Sequence, residues 1–414
     1  MARILAYTSP ARGHLYPLTP ILDRLEARGN EVAICALSSE LDMLRGRGFD
    51  AQAIEPGIEA IEIDDWKAGS PRKALGRSVG VFTARAEYDA PDLQRAIAEH
   101  DPDLLIVDIN TWGAMAAAEA SGLPWAVFCP YPLALSSPDV PPFGPGLRPA
   151  TGPLGRLRDR MLRPLFVGGL EKVMVPGING VRSGLGLEPV SAIDDAFGAP
   201  DLLLYMTAEP FEYQRSDWPD NIVMTGPCEW DPPAEVPAWL ERVDQPIVLV
   251  TTSSEFQDDG RLAQTALDGL SDEPVFVVAT VPAGDPATYR VPGNARVERF
   301  VPHAPILDRA VCAVTHGGMG ATQKALARGV PVCAVPFGRD QLEVARRVEV
   351  AGAGTRLPAR RLNPVRLRTA VRTATESAAG ARRVAAGYEA AGGASAAADA
   401  VEQRLLAHGG LAVS

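Results

Sequence analysis

Short apolar runs, each followed by a stretch of helical periodicity, recur along both halves of the chain, and no other feature restricts its folding as much. In the first half the runs are Ile4–Thr8, Glu31–Leu37, Asp103–Val107 and Leu123–Cys129. Leu18, Ile21, Leu22 and Leu25 line one face of a predicted helix from Pro17 to Arg28, which Gly29 and Asn30 end. Further helices are predicted at Leu41–Gly46, Arg72–His100 and Trp112–Ser121. The second half repeats the pattern, with strands predicted at Ile247–Thr251, Val275–Thr280, around Val297, Val311–Thr315 and Val332–Pro336. Helices are predicted between them at Arg261–Gly269, Gly320–Arg328 and Gln341–Val350. Such β-α-β repetition implies a parallel, doubly wound sheet, and two series imply two open α/β domains. Ligands of such sheets sit at the carboxyl ends of the strands, which places a site in the cleft between the domains.

The 414 residues divide on this reading into a domain over 1–226, a proline-rich linker over 227–246, a second domain over 247–390 and a helix over 391–414 that can pack back on the first domain. In the Ala-rich tail, Val371, Val384, Tyr388, Val401, Leu405 and Leu406 keep apolar spacing, so packed helices are expected rather than a linker. The net charge is −11 and the only basic concentration is the scattered arginines of 356–372, which disfavours nucleic acid and an anionic membrane as partners. A nucleotide is still allowed, because a local loop can hold phosphate inside an acidic protein. Cys35, Cys129, Cys228, Cys312 and Cys333 form no CxxC pair and read as buried, reduced thiols of a cytoplasmic protein. The first residues are too short an apolar run for a signal peptide, and no run of about 18 apolar residues suggests a membrane span.

The segment Val311–Gln323, with His316, Gly317, Gly318, Gly320 and Thr322, is the densest in chemistry. A strand runs into a glycine-rich turn that opens a helix. Glycines let a ligand approach the backbone, the first free N–H groups of the helix point at it, and the helix dipole favours an anion. His316, Ser253 or Ser254, and the Thr322 hydroxyl can add donors; an ordinary strand-to-helix turn is the competing reading. The next strand delivers Asp340 and Gln341 to the same edge, where a carboxylate and an amide can hold sugar hydroxyls. Asp340 can also cap the helix that follows, or do both. In the first domain, His14 follows Gly13 at the end of the first strand, and Asp108 ends another strand. If the two strands are neighbours, Asp108 can bond one imidazole nitrogen, fix the tautomer and stabilise the imidazolium formed when the other nitrogen takes a proton. A helix-capping or packing histidine, and a structural Asp108, are the alternatives.

These residues resemble the GT-B, family-1 glycosyltransferases, and among them the bacterial antibiotic branch of macrolide, enediyne and anthracycline type. The resemblance rests on Gly13-His14, Asp108, Thr315–Thr322, Gly329–Pro331, Pro336, and Asp340-Gln341 before Ala345–Val348, and it covers nearly the whole chain. It implies an N-terminal acceptor domain and a C-terminal nucleotide-sugar domain. His14 would be the general base, oriented by Asp108. His316, Gly317, Gly318 and Thr322 would hold the diphosphate, with Ser253 and Ser254 on a facing loop. Asp340 and Gln341 would contact the donor sugar. The stretch Val301–Leu307 matches the family's nucleobase loop, with Val301 and His303 at the base, although relatives often carry Gln at position 303. The implied reaction is an inverting displacement onto a hydroxyl of a small natural product. No metal is expected, since no Asp, Glu, His or Cys cluster has ligand spacing, and no cofactor beyond the nucleotide sugar.

The Trp and Glu that the plant branch places around base and ribose are not found, which favours dTDP over UDP. Trp66, Phe82, Trp112, Tyr131 and Phe143 are candidates to line a pocket for a flat apolar acceptor, with core packing as the alternative for each. Glu62, Asp64 and Asp65 make their segment acidic and read as a solvated loop, and residues 57–80 can form a lid. A homodimer is common among such proteins. The competing functions are a UDP-sugar-dependent enzyme of the same fold, a detoxifying transferase or epimerase, and a non-catalytic partner of a true transferase.

Overall fold

The computed structural model describes residues 1–406 apart from Pro233, Phe256 and Asp258. Strands β1 (Arg3–Tyr7), β2 (Glu31–Ala36), β3 (Asp50–Ala53), β4 (Leu104–Asp108), β5 (Trp125–Cys129), β6 (Leu202–Tyr205) and β7 (Ile222–Met224) form one sheet in the order β3-β2-β1-β4-β5-β6-β7. Strands β8 (Ile247–Thr251), β9 (Phe276–Thr280), β10 (Ala295–Glu298), β11 (Ala310–Thr315), β12 (Val332–Ala334) and β13 (Gly354–Arg356) form a second, in the order β10-β9-β8-β11-β12-β13. Every pairing in both is parallel. Helices cover both faces, so β4, β5 and β8 are buried along their whole length and read as unbroken apolar runs. The longer helices are α1 (Arg12–Ala27), α2 (Pro71–His100), α3 (Trp112–Ser121), α4 (Pro153–Gly184), α5 (Gly260–Leu270), α6 (Met319–Ala327), α7 (Gln341–Val350), α8 (Pro364–Thr375), α9 (Ala378–Ala391) and α10 (Gly393–Val401).

The strand order reverses between β1 and β4 in the first sheet and between β8 and β11 in the second. At such a switch point, successive connections leave in opposite directions and open a crevice beyond the carboxyl ends of the strands. His14 and Asp108 lie at the first switch point; Ser253 and His316 lie at the second.

The first helix begins five residues earlier than its apolar spacing predicts. The Ala11 carbonyl accepts the N–H groups of His14 (2.9 Å) and Leu15 (3.0 Å), so His14 stands in the first helical turn, and both Pro17 and Pro20 are inside the helix. Strands β3, β7 and β13 carry no strong signal in the sequence, whereas β6 is a short, buried apolar run that the strand expectations above do not include. All four have three or four residues each, β3 is the polar run Asp50–Ala53, and β7 and β13 are edge strands that are only half-buried.

Two apolar clusters sandwich each sheet. The last helix does not belong to the half that precedes it. Ala397, Val401 and Leu405 pack with Ile4, Leu18, Leu22 and Ile34 of the first domain. Arg28 of that domain pairs with Asp399 (2.7 Å) and Glu402 (2.8 Å). Residues 407–414 of the expected C-terminal helix lie outside the described residues. No helix among those described is long and apolar enough to cross a membrane.

The two halves are joined by a buried charge cluster. Arg347 on α7 donates through Nη2 (2.7 Å) and Nε (3.0 Å) to Glu212, on the connection after β6, and through Nη1 to Glu343 (3.1 Å) on its own helix. Tyr205, the last residue of β6, donates its hydroxyl to the same Glu212. Glu343 also accepts the backbone N–H groups of Gly144 (2.8 Å) and Gly146 (2.9 Å), which pins the proline- and glycine-rich loop of the first domain against the second. Phe211 packs beside Tyr388 with ring centroids 6.0 Å apart. Removing the guanidinium alone leaves two carboxylates buried without a counter-charge. Arg347→Ala is therefore expected to destabilise the protein by about 3–5 kcal/mol, read from the midpoint of urea unfolding. A shift under about 1 kcal/mol would mean that water replaces the guanidinium without cost.

Candidate active site

β1 and β4 are hydrogen-bonded neighbours, with Tyr7 level with Val107. The turn after β1 and the last residue of β4 therefore meet. His14 Nδ1 lies 2.7 Å from Asp108 Oδ1. The second carboxylate oxygen accepts the Ser9 backbone N–H (3.0 Å) and the Ser9 hydroxyl, and Oδ1 also accepts the Asn110 N–H (3.0 Å). Burial alone would raise the Asp108 carboxyl, but the charge and hydrogen bond of His14, with Ser9 and Asn110, hold it below the usual carboxylate range. Asp108 is thus an anion, and the proton of neutral His14 sits on Nδ1. Burial pulls the imidazole down; the charge and hydrogen bond of Asp108, then Glu255 and Asp340 from the other domain, outweigh it and leave His14 raised. The other nitrogen, Nε2, is 3.2 Å from Asn110 Nδ2, and Asn110 Oδ1 accepts the Tyr131 hydroxyl (3.0 Å).

Tyr131 is also part of the wall of an apolar pocket in the first domain, formed with Ile109, Trp112, Met115, Trp125, Met174 and Ile178 among others. The expected aromatic lining is thus split. Trp112 and Tyr131 face this pocket. Phe82 packs behind Trp112, with ring centroids 5.4 Å apart. Phe143 belongs to a smaller pocket beside Arg347 and Glu343. Trp66 lies at the surface with the Lys67 ammonium 5.2 Å from its ring centroid.

Across the cleft, β11 ends at Thr315 and α6 begins at Met319. Gly317 has φ +87°, which a side chain rarely adopts, and a Cβ on Gly318 would stand 2.3 Å from His316 Nε2. The two glycines thus let the His316 ring fold over the turn. His316 Nδ1 is 3.9 Å from Asp259 Oδ2. Burial lowers the imidazole's proton affinity, and it stays below its ordinary value despite Asp259. The Thr322 hydroxyl is turned inward to Thr315 Oγ1 (3.2 Å), which itself accepts the Gly317 N–H (3.1 Å), so this threonine braces the turn. Ser253 donates its N–H to Asp259 (2.7 Å), and its hydroxyl accepts from Gln257 (2.8 Å); Ser254 is exposed.

Asp340 and Gln341 open α7 side by side but behave differently. Gln341 is bonded within the protein: Oε1 accepts the Phe337 (2.8 Å) and Gly338 (3.1 Å) N–H groups, and Nε2 donates to Gln257 (2.7 Å). Asp340 makes no side-chain cap to its helix. Burial raises its carboxyl, opposed by its own backbone N–H and by the charges of Arg339 and, from the other domain, His14. In the stretch after β10, Val301 is part of the second core, while His303 receives Thr280 Oγ1 at 3.1 Å and donates its backbone N–H to Asp231 (3.2 Å). Burial and the Lys324 ammonium push His303 down to about 4, so its imidazole is neutral.

Sequence reading missed three groups. Ser9 and Asn110 are ordinary loop residues until the β1–β4 pairing puts them on Asp108 and His14. Arg339, at φ +50°, reaches over the cleft to Asp65 in two bonds (2.7 and 2.8 Å) and to Glu255 (3.1 Å). Asp65 is therefore not in a solvated loop: it is buried in an ion pair between domains, while Asp64 pairs with Arg77 (2.8 Å). Among the described residues, no group of His, Cys, Asp and Glu is arranged to hold a metal.

Residues 264–405 match the family described as erythromycin biosynthesis protein CIII-like, C-terminal domain. The chain is 32% identical over 394 residues to the 4'-demethylrebeccamycin synthase of Lentzea aerocolonigenes, spanning 90% of this chain and 91% of that protein. It is 31% identical over 320 residues to a PGL/p-HBAD biosynthesis glycosyltransferase of Mycobacterium tuberculosis, spanning 73% and 70%. Among solved structures, the calicheamicin glycosyltransferase CalG4 superposes over 100% of both chains with a TM-score of 0.75 at 20% identity. The Streptomyces sp. SF2575 glycosyltransferase SsfS6, complexed with thymidine diphosphate, superposes over 97% and 100% with a TM-score of 0.68 at 19% identity.

Asp108 is the strongest influence holding the His14 proton on against burial. Replacing it with Asn should drop the His14 pKa below that of the wild type, as read by NMR titration of labelled histidine. An unchanged or higher value would reject the electrostatic account of the pair.

Proposed function

The chain belongs to the natural-product branch of the family-1, GT-B glycosyltransferases, and on that premise we propose that it moves a deoxysugar from dTDP to a hydroxyl of a small apolar aglycone, with inversion and without a metal. The observation that carries this reading is the ionised Asp108 on Nδ1 of His14, which leaves Nε2 as a base linked through Asn110 to Tyr131 in the wall of the apolar pocket. The aglycone occupies the pocket beside Trp112 and Tyr131, with its hydroxyl toward Nε2. As that oxygen attacks the anomeric carbon, Nε2 takes its proton, and Asp108 stabilises the imidazolium. The diphosphate leaves toward Gly317, Gly318 and the first turn of α6, whose N–H groups and dipole meet the developing charge in place of a cation. His316, neutral and folded over the turn, adds a donor. One displacement inverts the anomeric centre. Asp340, with its carboxyl free of the helix cap, holds the sugar hydroxyls, and Gln341 acts beneath it by bracing the 337–341 turn. Val301 and His303 border the base.

The choice of dTDP is supported by the lack of the plant branch's Trp and Glu and by the thymidine diphosphate held in the related SsfS6 structure. Calorimetric titration with dTDP, UDP and ADP in the presence of a chelator tests it: dTDP should bind most tightly and magnesium should change nothing. Preference for UDP would move the enzyme to UDP-sugar chemistry, and no binding at all would favour a non-catalytic partner. His14→Ala should abolish transfer while leaving nucleotide affinity within about twofold; surviving activity would remove His14 as the base. Asp340→Ala should weaken the nucleotide sugar more than the bare nucleotide, and equal losses would place Asp340 outside the sugar site.

A further inference from the structure

Asn110 occupies the nitrogen on which the proposed reaction depends. Asp108 takes Nδ1–H of His14, so neutral Nε2 has only a lone pair to offer, and Asn110 Nδ2 is 3.2 Å from it. An amide can present either end to an imidazole. Its NH2 favours neutral His14, because it donates to the lone pair; its oxygen favours imidazolium, because it accepts Nε2–H. Tyr131 decides between them. Its hydroxyl donates to Asn110 Oδ1 at 3.0 Å. The phenol is half-buried and its proton affinity is raised well above the ordinary value, by desolvation first and then by Cys129, Asp108 and Asp340, so it acts as a donor. Flipping the amide would turn the NH2 towards that hydroxyl and take away its acceptor, an unfavourable exchange.

We propose that Asn110, held in one orientation by Tyr131, is a positioning residue of the transfer: it keeps Nε2 of His14 unprotonated and aimed until the acceptor replaces it there. The point of such a residue follows from the charges around the imidazole. Asp108 from the end of β4, Glu255 from the loop after β8 and Asp340 from the start of α7 all favour imidazolium. Arg85 on α2, near Asp108 and Glu255, and Arg339, paired with Glu255, act in the other direction from further away. Three carboxylates facing one base would leave it protonated and idle over part of the working pH range. The amide N–H offsets that bias without adding a charge to the cleft, and it leaves as a neutral group when the acceptor's O–H arrives.

This inference rests on His14 being the base, so its test reads His14 directly as well as through catalysis. Labelled histidine in the full chain is titrated by NMR, with the His14 signal assigned from His14→Gln. In Asn110→Ala the His14 pKa should rise by roughly half to one unit, and in Tyr131→Phe it should rise by less. In both, the acid limb of kcat/KM should move up by the same amount, with the rate recovering towards wild type at pH above the shifted limb. A His14 pKa that stays or falls in Asn110→Ala overturns the proposal. So does a uniform loss of kcat/KM at every pH with the acid limb unmoved, the mark of a purely structural role. Nucleotide affinity, which depends on the untouched second domain, checks that the variants are folded; should Asn110→Ala fail that check, Tyr131→Phe carries the same test. If His14→Ala keeps its activity while the NMR shift appears, the base assignment has failed and the Asn110 contact has not.

Discussion

A guanidinium buried between two carboxylates sets how the halves of this protein meet. Arg347 could be satisfied within its own helix by Glu343 alone, yet it also takes Glu212 from the first domain. A carboxylate buried at a domain interface has a narrow choice of positions, because every lone pair left unbonded is costly. Glu212 is further fixed by Tyr205, and Glu343 by two N–H groups of the first domain's glycine-rich loop. The cluster thus fixes α7 relative to the end of β6. Since α7 opens with Asp340, the same contact fixes how far that carboxylate stands from His14.

The cleft so defined places two switch points face to face. Each uses the same backbone device, a strand that ends where neighbouring connections part, but fills it with different chemistry. The first carries an imidazole and its paired carboxylate, surrounded by hydroxyl and amide groups that fix protonation. The second carries glycines and a helix start, which fix space and dipole. Arg339 spans them. It holds the segment around Asp65 to the second domain, and its left-handed backbone is a strained conformation that a non-glycine residue keeps only where its surroundings enforce it.

Much of this was legible in the amino-acid sequence, for definite reasons. Strands buried on both faces, such as Leu104–Asp108 and Ile247–Thr251, announce themselves as apolar runs, so both sheets and their parallel sense could be anticipated. Short edge strands such as Gly354–Arg356 could not, because their apolar demand is slight. The pairing of His14 with Asp108 required only that two strands be neighbours. Asn110 and Ser9 needed the register itself, since their side chains gain meaning from an atom one strand away. Gln341 and Thr322 show the opposite limit: their positions in the motif were plain, but their side chains turn inward and brace the loops. The solvated-loop reading of Asp65 failed because its partner lies 274 residues away, at a distance that periodicity cannot reach.

The return of the last described helix to the first domain has a consequence for how that domain folds. The face that Ala397, Val401 and Leu405 cover belongs to β1, α1 and β2, so the first domain completes its core with residues that follow the second domain in the chain. The two domains are thus tied in their folding as well as across the cleft, because neither is a continuous stretch of sequence with a core of its own.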